Sequence, residues 1–104
     1  MAKRVIIWTD RSRIEMFEIM KYYTKRNESK TYSYNLHSEI KQKLKNLDFT
    51  IALPQKTFKT NVFYLTHNHI SVFFSFLDND FFVKTVWDDR INPQKREHIL
   101  RNID

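Results

Sequence analysis

The sequence predicts an α+β fold in which an N-terminal strand, a two-helix hairpin and three antiparallel strands form a four-stranded sheet with two helices. Apolar residues recur at helical spacing between positions 10 and 47. After Pro54 the chain changes to short runs rich in β-branched and aromatic residues, joined by connections of hairpin length. We interpret residues 1–104 as a single domain, with 93–104 as a polar C-terminal tail.

The first strand and the first helix are predicted to follow each other directly. The run "RVIIW" at 4–8 is β-branched and aromatic, which is typical of a short strand. The helix is expected to cover about residues 10–25. Thr9 can cap its first turn, or Ser12 and Glu15 can form a capping box.

A polar break and a second helix come next. "KRNESK" at 25–30 contains no apolar residue, so it separates the two helices. The second helix is predicted over about 30–47, because an apolar residue recurs at steps of four, four, four and three. That stripe consists of Tyr32, Leu36, Ile40, Leu44 and Leu47. Lys41, Lys43 and Lys45 lie off the stripe and are expected to form a solvated face.

Three strands are predicted in the second half of the chain. They are "NVFYLTH" (61–67), "ISVFFSF" (70–76) and "FFVKTVW" (81–87). The middle run places apolar residues at every second position, which indicates a half-buried antiparallel strand. The chain contains no glycine, so turns that need a positive φ must use Asn or Asp, as in "LDND" at 77–80.

The composition excludes several functional classes. Without cysteine there is neither a disulfide framework nor thiolate chemistry, and without glycine there is no phosphate-cradling or dinucleotide-binding loop. No apolar run approaches the length of a membrane span and the N-terminus is not a signal peptide, so we expect a cytoplasmic protein. The excess of 18 Lys and Arg over 12 Asp and Glu, a formal net charge of +6, favours polyanionic partners.

Three stretches carry a resemblance to a known family. "IIWTDRSRIEMFEIMKYYTKRNESKTYSYNLHSEIKQKL" resembles the opening of RelE/ParE-superfamily toxins of bacterial type II toxin–antitoxin modules. "LPQKT" resembles the Pro-containing connection of that family. "VWDDRINP" resembles its closing strand, which in one branch ends Trp-Asp-X-Arg-X-Asn-Pro. The similarity covers about residues 4–95. The matches in the opening are Ile7-Trp8-Thr9, Ile19, Tyr23 and Ser29–Tyr32.

The resemblance implies a small basic toxin held inactive by a cognate antitoxin in a hetero-oligomer. RelE-like members enter the ribosomal A site and cut mRNA without a metal ion. ParE-like members share the fold but act on DNA gyrase and are not nucleases. The N-terminal half of this chain is more similar to the ParE-like branch, and the target stays open between gyrase and the ribosome.

Phe63 departs from the family pattern. Many relatives place an Arg on this strand, and in the nuclease members that Arg can serve the scissile phosphate. An apolar ring cannot do so. The departure leaves open whether the protein is an enzyme, and it supports an alternative: a degenerate, non-toxic paralogue that serves only as an antitoxin-binding subunit.

The candidate catalytic residues are Arg90, His67 and His69. Metal-free RNA cleavage needs an activated 2′-hydroxyl, a stabilised phosphate charge and a protonated leaving oxygen, which basic side chains on a sheet can supply. Arg90 is favoured because the family keeps a basic residue near the end of this strand. The structural alternatives are a surface ion pair of Arg90 with Asp88 or Asp89, and polar turn roles for both histidines.

Four further residues are candidates for binding nucleic acid or another target: Lys56, Lys59, Lys84 and Trp87. Lys56 and Lys59 are alternatively solvating residues of a loop, and Trp87 is alternatively a packing residue of the sheet. The two histidines have no carboxylate or cysteine nearby in the sequence, so neither a metal nor any other cofactor is expected.

The phenylalanines of the last two strands are too many for one face of the sheet. Phe73 and either Phe81 or Phe82 are expected on the second face. Because an exposed apolar patch usually marks a binding surface, Phe73, Phe81 and Phe82 are the candidate antitoxin-binding residues.

Overall fold

The computed structural model describes residues 4–47, 55–57 and 61–91 of the chain. Its elements are β1 (Val5–Trp8), α1 (Asp10–Asn27), α2 (Thr31–Lys45), β2 (Gln55–Lys56), β3 (Phe63–His67), β4 (Ile70–Leu77) and β5 (Asp80–Asp88). The predicted α+β fold is confirmed, with both helices and all four predicted strands present. Pro54 and the predicted tail at 93–104 lie outside the described residues.

The strands form one mixed sheet in the order β1-β5-β4-β3-β2. β1 runs parallel to β5, with Val5 opposite Asp80 and Trp8 opposite Val83. The other neighbouring pairs are antiparallel. β2 is only two residues long and adds a short fifth strand at the edge beside β3. Parallel neighbours cannot be joined by a tight turn, and along the sequence the helical hairpin and the other strands separate β1 from β5.

Thr9 caps the N-terminus of α1, as the first of the two alternatives predicted, and the capping box of Ser12 and Glu15 is not formed. Its Oγ1 accepts a hydrogen bond from the Ser12 amide at 3.2 Å, and the hydroxyl donates to the Val83 carbonyl at 2.8 Å. The cap therefore also connects the helix to β5. At its other end α1 extends two residues beyond the predicted 25 and stops where Glu28 adopts a left-handed conformation, with φ of 52°.

The turns confirm that residues other than glycine supply the left-handed backbone. Among the described residues, four have a positive φ, and none of them is glycine: Glu28, Asn61, Asn68 and Asp78. Asn and Asp tolerate this region best because their short side chains bond locally to the backbone. The turns that join β3 to β4 and β4 to β5 can therefore stay tight in a chain without glycine.

The main core lies between the helices and one face of the sheet. The helices contribute Met16, Ile19, Tyr23, Leu36, Ile40 and Leu44, and the strands contribute Ile70, Val72, Phe74, Phe81, Val83 and Val86. Each of these side chains is almost completely buried, and full burial of one large apolar side chain stabilises a fold by about 1.5–3 kcal/mol. Within the described ranges, no helix is long and apolar enough to cross a membrane.

A register shift in the β4–β5 pair decides which aromatic rings reach the second face. Phe73 lies opposite Thr85 while Phe74 lies opposite Val83, so β5 contains one extra residue at this point. As a result Val86 packs into the main core, whereas Trp87 packs against Phe73 on the other face.

The expectation of an exposed patch, with Phe73 and either Phe81 or Phe82 on the second face, is wrong for Phe73 and Phe81. Phe73 does lie on the second face, but it is 0% exposed and packs with Val62, Tyr64 and Trp87. Phe81 is 1% exposed, because it faces the helices and stacks on Phe74 with 5.6 Å between ring centroids. Phe82 is half-buried. The rings of Phe73 and Phe81 are therefore already covered within the single chain.

Replacing Thr9 with Ala tests whether this cap connects helix and sheet. The change removes the bonds to the Ser12 amide and to the Val83 carbonyl, so we expect the free energy of unfolding to fall by about 1–2 kcal/mol in urea denaturation. Ser38→Ala is the matched control, since Ser38 is exposed on α2 and its hydroxyl makes no hydrogen bond to a described residue. Equal effects of the two changes would contradict the assigned role of Thr9.

Candidate functional site

The β3–β4 turn and the C-terminal end of β5 lie side by side where these strands end, and we call this end of the sheet the rim. Ile70 is opposite Asp88, and the Asp89 amide donates to the His69 carbonyl at 2.9 Å. Arg90 follows directly. The structure therefore brings the three predicted catalytic residues, Arg90, His67 and His69, to the rim.

Asp88 is the buried centre of the rim, with only 3% of its surface exposed. One carboxylate oxygen accepts the Tyr23 hydroxyl at 2.7 Å. The other accepts the backbone amides of Arg90 at 2.8 Å and of Ile91 at 3.4 Å. A buried carboxylate is stable only when it is hydrogen-bonded in this way. Asp88 thus connects α1 to the turn that follows the sheet.

Arg90 does not form the surface ion pair with Asp88 that was its structural alternative. Asp88 binds the backbone amide of Arg90 and not its guanidinium. The Arg90 side chain is exposed, and among the described residues its guanidinium makes no hydrogen bond or ion pair. Asp89 is also exposed and forms no ion pair there. The turn therefore presents a planar, bidentate cation to solvent, which is the geometry that suits a phosphate or carboxylate.

The surroundings of Tyr23 hold its proton to a higher pH than that of an ordinary tyrosine. Burial, and then the hydrogen bond and negative charge of Asp88, raise the pKa of Tyr23 far above its ordinary value of about 10, while the charge of Arg90 acts in the opposite direction. The phenol therefore remains a hydrogen-bond donor to Asp88 throughout the neutral range.

His67 has a carboxylate neighbour that its position in the sequence did not indicate. Its Nε2 lies 3.0 Å from Oε2 of Glu39 in α2, and its side chain is only 12% exposed. Lys43 of the same helix donates to the Thr66 carbonyl at 2.9 Å. His67 therefore helps to attach α2 to β3. His69 is exposed, so of the two histidines it is the one accessible to a ligand beside Arg90.

Of the predicted binding residues, Lys84 and the backbone of Lys56 lie away from the rim, and Trp87 packs within the sheet. Lys84 is half-buried at the register shift, four residues and about 13 Å along the strand from Asp88. Trp87 packs against Phe73, which agrees with its packing alternative. Lys56 belongs to β2, three strands and about 14 Å across the sheet from β5. The Lys56 side chain and the whole of Lys59 lie outside the described residues.

Phe63 occupies the strand position at which many relatives of the resembled family have an Arg. It is half-buried at the margin of the main core, with its ring centroid 5.2 Å from that of Phe76 and 6.2 Å from that of Phe74. These contacts give Phe63 a packing role. The site has no phosphate-binding group at this position.

Glu15 is a structural residue whose role the sequence did not reveal. It does not complete a capping box. Its Oε1 accepts the Thr85 hydroxyl at 2.6 Å and the Val86 amide at 3.3 Å, at the register shift of β5. Arg11 lies 3.6 Å from its other oxygen. Because Glu15 and Thr85 are 70 residues apart, no local pattern could have identified the pair.

A groove of about 430 Å³ lies next to the rim, between α1 and the end of β5. Glu15, Glu18 and Asp88 line it together with the rings of Tyr22 and Trp87. Glu15 and Asp88 are already engaged by the hydrogen bonds described above, so they do not form an acid–base pair for a substrate.

Comparison with family models and with curated protein sequences does not assign this chain to a family. Neither a family model nor a curated protein sequence matches it. Within residues 4–47, 55–57 and 61–91, no group of three or more His, Asp or Glu side chains is placed to hold a metal ion. The functional conclusion therefore depends on the fold, the geometry of the rim and the sequence resemblance.

Replacing Tyr23 with Phe tests the connection between α1 and the rim. The buried Asp88 carboxylate would lose one of its donors, so we expect the free energy of unfolding at pH 7 to fall by about 1–3 kcal/mol. Tyr22→Phe is the matched control, because the Tyr22 ring is 38% exposed. Urea denaturation of both variants measures the difference, and a Tyr23→Phe variant as stable as the control would contradict the assignment.

The same pair of atoms predicts a pH dependence. Since the folded-state pKa of Tyr23 is raised, its contribution to stability is complete below about pH 10 and is lost as the pH rises further. The stability difference between wild type and Tyr23→Phe should therefore shrink above pH 10, by about 1.4 kcal/mol per pH unit. Urea denaturation at pH 8, 10 and 11 measures it. A difference that stays constant over this range would refute the prediction.

Proposed function

We propose that this protein is the toxin component of a bacterial type II toxin–antitoxin module of the RelE/ParE superfamily. In this proposal it acts in the cytoplasm and is neutralised there by a cognate antitoxin. The observation that carries the proposal is the agreement between the strand–helix–helix–strand order expected from the resemblance and the order of the described elements. The exposed Arg90 in the family-like closing stretch adds support.

The arrangement of the rim favours DNA gyrase over mRNA as the target. Cleavage of RNA without a metal needs an acid, a base and a phosphate-binding cation close together. Among the described residues the rim offers only Arg90 and His69 to solvent, since His67 is bound to Glu39 and Lys84 lies further along the strand. Binding to a protein target requires no such trio. Ribosome-dependent, metal-independent mRNA cleavage is the other outcome that the experiment distinguishes.

Phe63 favours a second candidate function. A ring packed against Phe74 and Phe76 where nuclease relatives have an Arg is consistent with a paralogue that has lost toxicity. Such a protein would retain the fold and serve only as an antitoxin-binding subunit. The two candidates differ in one observable property, the arrest of growth.

Pulse labelling after induction of the chain alone in bacteria separates these functions. We expect DNA synthesis to fall before protein synthesis, as inhibition of gyrase requires. Arg90→Ala should relieve the arrest, because it removes the exposed cation without touching the amide that Asp88 binds. Arg26→Ala is the matched control: Arg26 is also exposed but lies at the end of α1, and its loss should leave the arrest unchanged.

Each alternative result has a defined meaning. If protein synthesis stops first and Arg90→Ala restores it, the target is the translating ribosome. If neither synthesis slows while the protein accumulates in folded form, the toxin proposal is wrong and the non-toxic subunit is supported. If Arg26→Ala rescues growth as well as Arg90→Ala, Arg90 has no special role.

A further inference from the structure

The outer surface of the helical hairpin carries a continuous trough that no part of the proposed function uses. It consists of two adjoining grooves of about 440 and 360 Å³, which share Phe17 and Met20 of α1. From α2 it receives Tyr34, His37 and Lys41, which follow one another at helical spacing on the side facing α1. We call this trough the helix seam.

The charges that line the helix seam are all positive. Arg13 and Lys41 lie at one end, and Lys21, Lys25 and Lys30 lie at the other. No Asp or Glu is among the residues that line the two grooves. Within the described part of the chain, none of the four lysines forms an ion pair, and Arg13, which donates to the Trp8 carbonyl at 3.3 Å, lies 3.9 Å from the exposed Asp10. The cations are therefore available to an anionic partner.

Aromatic rings lie between the two groups of cations. Phe17 is 62% exposed and Tyr34 is 60% exposed, so each presents much of its ring to solvent. Towards the Arg13 end, Trp8 and His37 form a ring pair with 5.4 Å between centroids. Burial and the charge of Lys41 lower the pKa of His37, so its ring is neutral at pH 7. The middle of the seam thus offers ring surface, and its ends offer charge.

From this arrangement we infer that the helix seam binds single-stranded nucleic acid. Proteins that bind single strands combine a positively charged groove for the phosphates with aromatic side chains on which the bases stack. The helix seam has both features. Unpaired bases are required, because the faces of bases within a duplex are already stacked. From Arg13 to Lys25 the seam spans about 18 Å of helix, enough for roughly four nucleotides.

The exposed rings favour nucleic acid over an acidic helix from another protein. A helix that docks in a groove needs a recessed apolar floor for several anchoring side chains. The recessed apolar side chains of the seam are Trp8, Met16 and Met20, and the Trp8 ring is already paired with His37. Phe17 and Tyr34, in contrast, stand out from the surface. Rings in that position are suited to stacking. The inference does not depend on the toxin proposal, since the helix seam includes neither Arg90 nor the rim.

Fluorescence anisotropy with a fluorescein-labelled 12-nucleotide oligouridine tests the inference on the full-length chain. We expect binding whose affinity decreases with salt. Phe17→Ala combined with Tyr34→Ala should weaken it about tenfold or more, through the loss of stacking. Lys21→Ala combined with Lys25→Ala should reduce the slope of log K against log salt by about 1.4, since each phosphate contact on a single strand contributes about 0.7.

Matched controls separate the helix seam from general charge and from folding. Arg26→Ala combined with Lys45→Ala removes the same charge from exposed positions outside the seam, and Ile14→Ala removes an exposed apolar side chain from the other side of α1. Both should bind the oligonucleotide within about threefold of wild type, with circular dichroism showing every variant folded.

Three results would overturn the inference. The first is a wild-type protein that does not bind the oligouridine. The second is loss of binding in the charge control equal to that in Lys21→Ala/Lys25→Ala, which would indicate unspecific attraction to a basic protein. The third is seam-dependent binding of an acidic Glu- and Leu-rich helical peptide in place of RNA, which would make the helix seam a protein-docking surface.

Discussion

The rim depends on one buried carboxylate. Asp88 ends β5 at 3% exposure and is stable there because the Tyr23 hydroxyl and the amides of Arg90 and Ile91 all donate to it. This explains why the most apolar region of the chain ends in adjacent charges. Asp88 is internal and shapes the turn, whereas Arg90 is external and faces solvent. In "VWDDRINP", the negative charge of Asp88 is thus buried, and the positive charge of Arg90 is exposed.

Helix α1, which contains Tyr23, is hydrogen-bonded to β5 at three places along its length. Thr9 bonds to Val83 where α1 begins, Glu15 bonds to Thr85 and Val86 in its middle, and Tyr23 bonds to Asp88 near its end. Each bond joins residues that are 65 or more positions apart, so each fixes the helix to the strand more specifically than apolar contact alone. As a consequence, the turn that carries Arg90 has a fixed position relative to the helices and to the sheet. The helix seam remains open on the outer side of the same helix.

Local pattern predicted most of this fold, and long-range contact explains what it missed. The stripe through Leu36, Ile40 and Leu44 and the alternation around Val72 depend only on neighbours in sequence, and both lie in the core. The faces of Phe81 and Trp87 were not predictable, because one extra residue at the register shift reverses the alternation. The burial of Asp88 and the contact of His67 Nε2 with the Glu39 carboxylate depend on partners far along the chain. Arg90 was identified by resemblance alone, and no sequence pattern pointed to Phe17 and Tyr34 as exposed rings.

The contact of Tyr23 with Asp88 determines how the strand end and its turn are built. A double-mutant cycle with Tyr23→Phe and Asp88→Ala, read as free energies of unfolding at pH 7, measures that contact directly. A hydrogen bond from the phenol to a buried carboxylate predicts a coupling energy of about 1.5–3 kcal/mol. A coupling energy near zero would show that the two residues act independently, and the account of the rim would then be wrong.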